Sequence, residues 1–234
     1  MSEAWPNGRR AFLARMGTWT GAALVAGAMR PSGAHAAEEE VSPPEDLMRE
    51  HGVLNRILLI YEDALCRLGG CRPFEAEPVR ASADIVRRFI EGYYEKLEEQ
   101  YLFPRFRKAH TLVDLVDTLE AQHKAGRGLT ETVLALSTPG VERDQARSER
   151  LSAAMEAFIR MYRPHEARED TVLFPALRAI VSPHEFDALG ETFENREHAL
   201  FGREGFEGVV AQVAELEKRL GIHDLAQFTP GAPG

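Results

Sequence analysis

The chain carries one helical segment twice. YEKLEEQYLFP, residues 94–104, returns 71 residues later as HEAREDTVLFP, residues 165–175. Glu98 pairs with Glu169, Glu99 with Asp170, and Leu102-Phe103-Pro104 with Leu173-Phe174-Pro175, whereas the first position is Tyr94 in one copy and His165 in the other. A second pair, His51 and His123, stands 72 residues apart. The chain therefore reads as two copies of a helical hairpin. Each gives a histidine from its first helix and a [His/Tyr]-x-x-x-Glu from its second.

The surrounding pattern is helical nearly throughout and shows no β-type alternation. Helices are expected over about 45–68, 77–107, 111–136 and 143–180, with Gly69-Gly70, Pro139-Gly140 and Ser182-Pro183 as breaks. Two shorter helices follow, at about 183–203 and 206–221. Four long helices on short connections predict an all-α, up-down-up-down four-helix bundle with two additional C-terminal helices along its side or over one end. The expected organisation is a leader over 1–36, a linker over 37–44, the bundle over 45–181, a helical extension over 182–221 and a tail over 222–234.

Each long helix then places a polar residue in its apolar seam. His51 falls between Leu47 and Leu54, Tyr94 and Glu98 around Leu97, His123 after Leu119, and His165 and Glu169 between Tyr162 and Leu173. One histidine on an apolar face is more often a hydrogen-bonded core residue than a ligand, and EKLEEQ alone reads as a solvated face. The duplication changes that weighting. An i, i+4 pair presents both side chains on one helix face, so pairing two such hairpins brings three His, two Glu and one Tyr to a common axis. Bundle cores that collect Glu and His from facing helices hold carboxylate-bridged metal pairs. Imidazole, carboxylate and phenolate without thiolate point to iron, with manganese as the alternative.

These residues resemble the hemerythrin-like HHE cation-binding family. The motifs that carry the likeness are MREHGVLNR, YEKLEEQYLFP, AQHKAGR and HEAREDTVLFP, in that order. The resemblance implies a four-helix bundle around two non-haem, carboxylate-bridged iron ions that meet O2, peroxide or nitric oxide. Carried over by position, it implies His51, Glu98, His123, His165 and Glu169 as ligands. Glu95 matches an extra carboxylate ligand of the iron-sensing branch. Two positions depart from the oxygen carriers: Arg127 stands where they have a second histidine on the third helix, and Tyr94 stands where the second helix has its histidine. Tyr94 either binds metal as a phenolate or only packs. Arg127 either faces an anion at the open coordination position or pairs with a neighbouring carboxylate. The carboxylate-rich, histidine-poor shell favours redox chemistry over reversible oxygen carriage; a binding module for sensing, storage or scavenging is the alternative.

Residues 1–36 read as an export signal. Arg9-Arg10 followed by Ala11-Phe12-Leu13 resembles a twin-arginine motif, an uncharged stretch runs from Met16 to Met29, and Ala34-His35-Ala36 fits an A-x-A cleavage site. This predicts a periplasmic or secreted protein. Its apolar run is too short for a membrane span, and no later stretch qualifies. The net charge of −9, without a basic patch, argues against nucleic acid as a partner. Cys66 and Cys71, within CRLGGC, either close a small loop or remain thiols.

Overall fold

The computed structural model describes residues 42–202 and 204–230. The export signal and most of the linker, residues 1–41, lie outside the described residues, as do the last four residues of the tail. Among the described residues all regular structure is helical.

Helix α1 spans Pro43–Leu68. Its start is set by Ser42, whose amide and hydroxyl donate to Glu45 Oε2 at 2.9 and 2.7 Å, so the carboxylate sits over the positive end of the helix. It stops at Gly69-Gly70, where Gly70 takes a positive φ of 91°. Helix α2 runs over residues 76–108, α3 over Val113–Leu136 and α4 over residues 145–180. Helices α5, Pro183–Phe201, and α6, Gly205–Leu220, follow. Ser182 and Glu185 cap α5 in the same reciprocal way that Ser42 and Glu45 cap α1.

The duplicated segments share a backbone feature that the periodic pattern does not reveal. Helices α2 and α4 each widen into a π turn, over Glu98–Leu102 and Glu169–Leu173, closed by Phe103 N–H to the Glu98 carbonyl and Phe174 N–H to the Glu169 carbonyl. A proline follows each turn, Pro104 and Pro175. Proline has no N–H to give to the preceding turn and its ring crowds that turn's carbonyl, so the backbone opens by one residue. Each Leu-Phe-Pro thus shapes the turn that begins with the glutamate of its own repeat. A further π stretch, Val86–Tyr94, leads up to Tyr94.

Helices α3 and α4 pack along their length, and α1 packs against α4 and α2. Helix α6 lies along α1 and the first turns of α2, while α5 touches α1 and α6, so the two C-terminal helices cover a side of the bundle. Leu54, Leu58, Phe89, Leu119, Phe158 and Phe193 fill the buried interior.

Cys66 and Cys71 form a disulfide that ties the end of α1 to the following loop. Beside it Arg67 bonds Asp63 at 2.5 Å and the Leu220 carbonyl at 2.7 Å, joining that corner to the end of α6. A loop this short removes little entropy from the unfolded chain, so reduction should cost about 2 kcal/mol. The expected result is a melting point lower by roughly 5 °C in dithiothreitol, in a domain of this size. The Cys66→Ser/Cys71→Ser variant should show the same fall with no further response to reductant.

Candidate metal centre

Four helices deliver six buried donor groups to one place: His51 from α1, Tyr94 and Glu98 from α2, His123 from α3, and His165 and Glu169 from α4. His51 Nε2 lies 3.2 Å from Glu169 Oε2, and so does His165 Nε2. His123 Nε2 lies 3.4 Å from Glu98 Oε2 and 3.2 Å from His165 Nε2. Tyr94 Oη stands between the two halves, hydrogen-bonded to His51 Nε2 and 3.2 and 3.1 Å from Glu98 Oε1 and Glu169 Oε2.

The outward nitrogens are fixed as metal-binding histidines usually are. His51 Nδ1 donates to Asp170 Oδ1 at 2.7 Å, His123 Nδ1 to Glu99 Oε1 at 3.3 Å, and His165 Nδ1 to Gln122 Oε1 at 2.9 Å. All three Nε2 atoms therefore face the common centre. Glu99 and Asp170 are equivalent positions of the repeat, and each holds the first-helix histidine of the other hairpin. The Phe of each Leu-Phe-Pro does likewise: Phe103 stacks on His123 with ring centroids 5.5 Å apart, and Phe174 on His51 at 5.6 Å. The duplication thus builds two interlocking halves rather than two separate sites.

The electrostatics favour a cation at this centre. Among the described residues, Glu98 Oε2 and Glu169 Oε1 are buried without a hydrogen-bond partner. Burial and the facing Glu169 and Glu95 push the Glu98 carboxyl well above its usual range. Glu169 is also penalised by burial, but His165 and His51 outweigh that and hold it well below the usual range. Burial opposes charge on His51, yet Asp170 and Glu169 carry it up to about 10. Tyr94 is pushed well above an ordinary phenol by burial, Glu169 and Glu98. A cation among these groups would satisfy both orphaned oxygens and relieve the crowding of carboxylates. The donor set fits a pair of six-coordinate ions.

The remaining expected residues sit beside this cluster. Glu95 accepts from Tyr162 Oη at 2.7 Å and from Arg127 at 2.7 Å, and Arg127 also clamps Glu99. Arg127 is thereby the carboxylate-pairing arginine, not a free anion binder. Glu95 is held by Tyr162 and Arg127, although its carboxylate, with Glu99 and His123, forms another group within 4.8 Å. Apart from this cluster, Glu197 of α5 is buried close to Asp46 and Glu50 of α1.

The chain matches the Hemerythrin HHE cation binding domain over residues 42–177, and again over 114–223. It belongs to the hemerythrin HHE family. Uncharacterized proteins of Mycobacterium tuberculosis and Mycobacterium bovis are similar to it, each 52% identical over 201 residues that cover 86% of this chain and 79% of theirs. No solved structure gives a significant match. In this hemerythrin-family bundle, the residues that periodicity alone did not single out are Glu99, Asp170 and Gln122, which orient the three imidazoles. The Glu99–Asp170 match within the repeat was the available signal.

Proposed function

We propose that the protein binds two non-haem iron ions, with manganese as the alternative, and reacts through them with peroxide, O2 or nitric oxide by electron transfer rather than reversible carriage. The observation that carries this reading is the convergence of three Nε2 atoms and two orphaned carboxylate oxygens in one buried space. His123, His165, Glu98 and Glu169 would hold one ion; His51 and Tyr94, sharing Glu98 and Glu169, would hold the other. Bound there, the ions supply redox equivalents and Lewis acidity to a small oxidant. Asp170, Glu99 and Gln122 keep the imidazoles aimed inward, and the aromatic and aliphatic surround excludes bulk water.

Tyr94 supports the redox reading. A phenolate is anionic and favours the ferric state. Burial, Glu169 and Glu98 hold the phenol protonated, so only a bound cation would draw its proton off and make it a ligand. The proposal includes the up-down-up-down order of the four long helices and export by the twin-arginine route, supported by Arg9-Arg10 and Ala34-His35-Ala36. The same observation that places Tyr94 Oη against His51 Nε2 favours a second reading, a one-ion binding module in which the phenol fills the other position.

Metal analysis of aerobically purified protein with a visible spectrum decides between them. Two irons per chain, a phenolate-to-iron band that Tyr94→Phe abolishes, and peroxide consumption are the expected results. One ion per chain, with no band sensitive to Tyr94→Phe, supports the binding module instead.

A further inference from the structure

A second polar group lies inside the bundle, toward Tyr61 and away from the histidines. Tyr61 Oη on α1, Glu91 Oε1 on α2 and Thr130 Oγ1 on α3 are all buried, and none of these atoms has a full hydrogen bond among the described residues. Tyr61 and Thr130 are fully enclosed, while Glu91 keeps 7% of its surface exposed. Thr130 lies close enough to Glu91, and Ser82 to Tyr61, to lower each group's pKa, while the Ser82 hydroxyl donates to the Val79 carbonyl at 2.8 Å. Tyr61 and Thr130 thus each neighbour the Glu91 carboxyl, and buried polar groups brought together from three helices in this way are what an internal water satisfies, because such waters take two to four polar partners.

We propose that Tyr61, Glu91 and Thr130 enclose an ordered-water site inside the bundle, and that Glu91 exchanges protons with solvent there on behalf of the buried metal centre. The inference rests on the redox reading above. Reduction of hydrogen peroxide takes up two electrons and two protons and yields two waters. Over a full turnover the two electrons would come, by way of the iron pair, from a second peroxide oxidised to O2 with release of two protons. Protons must therefore both enter and leave a site whose own groups are committed to metal. Glu91 has the position for this. It lies one helical turn before Glu95, which Tyr162 and Arg127 hold beside the centre.

Glu91 also has the chemistry. Burial is the largest influence and pushes its carboxyl up to about 7; Thr130 and Arg127 draw it down, Glu95 and Glu131 push it up. Tyr61 and Tyr162 face the same carboxylate from α1 and α4, and both are themselves pushed up by burial first. The group therefore loads and releases a proton near neutral pH, where a relay is most efficient.

The test uses the full, metal-loaded chain. Infrared difference spectra between pH 5.5 and 8.5 are expected to show a carboxylic-acid C=O band that titrates near neutrality and is missing in Glu91→Gln. Peroxide turnover should follow the same ionisation, and Glu91→Gln should slow it about a hundredfold and flatten that limb at unchanged metal content. Thr130→Val keeps the carboxyl and should shift the midpoint of the same band; it serves where Glu91→Gln does not fold. An infrared difference without that band, or an unchanged pH profile in Glu91→Gln at full metal content, overturns the proposal and leaves the metal reading standing. A chain that takes up no metal sinks the functional reading, while the band still decides whether Glu91 titrates in its pocket.

Discussion

Stripping the metal from this protein is expected to lower its melting temperature by roughly 10 °C or more. A ligand present at a thousand times its dissociation constant stabilises by about 4 kcal/mol, and each kcal/mol moves the midpoint of a domain this size by about 2–4 °C. The physical cause is local. Without an ion, Glu98 keeps its proton under the pressure of burial, Glu169 and Glu95. His51, despite burial, takes up a proton through Asp170 and Glu169. Loading at pH 7 must expel both protons, so calorimetry in two buffers of different ionisation enthalpy should show net proton release.

The pH dependence has a definite sign. Both groups have folded-state values raised above their unfolded ones. For His51 the stabilisation of the metal-free protein is fully present below about pH 6.5 and is lost as pH rises through about 10. Glu166, raised to about 8 chiefly by burial, acts in the same direction. The gap in melting temperature between loaded and stripped protein should therefore widen from pH 6.5 upward. Superimposable melts across that range, with and without metal, would remove the metal from any structural role.

The bundle was largely legible in the sequence because its signals are local. Gly69-Gly70 and Ser182-Pro183 end or start helices by backbone chemistry that tertiary contacts do not override, and the structure places helix ends there. The six inward donors were legible for a different reason: each breaks an apolar seam, and the duplication multiplies the signal. The groups that aim them were not. Glu99, Asp170 and Gln122 lie just off the seam, where a polar residue is the rule, so nothing local separates them from solvent-facing neighbours. The π turns were equally hidden. They shift the helical phase by one residue beside Glu98 and Glu169, an effect of Pro104 and Pro175 that a fixed 3.6-residue period cannot express. Glu95 shows the same limit from the other side. Its matching position implied a metal ligand, and the sequence gives no sign that Tyr162 and Arg127, distant along the chain, bond its two oxygens beside Glu99 and His123.

That last arrangement depends on a residue with no side chain. Gly126 lies in the middle of α3, where glycine costs about 1 kcal/mol relative to alanine, so its presence needs a reason. A Cβ built there would stand 2.0 Å from Tyr162 Oη and 2.8 Å from its Cζ. Only a bare backbone lets the phenol pass between α3 and α4 to reach Glu95. Gly126→Ala is therefore expected to destabilise the protein by about 2 kcal/mol despite its better helix propensity, in the range of overpacked cores. The displaced phenol would also release Glu95, and through Arg127 and Glu99 loosen the hold on His123 Nδ1. A double-mutant cycle isolates the cause. In a Tyr162→Phe background the hydroxyl that makes the closest contact is gone, so the cost of Gly126→Ala should fall by about 1 kcal/mol or more, a coupling of the size measured for touching side chains. Strict additivity in chemical denaturation would mean that Gly126 serves α3 alone and that the phenol reaches Glu95 without its help.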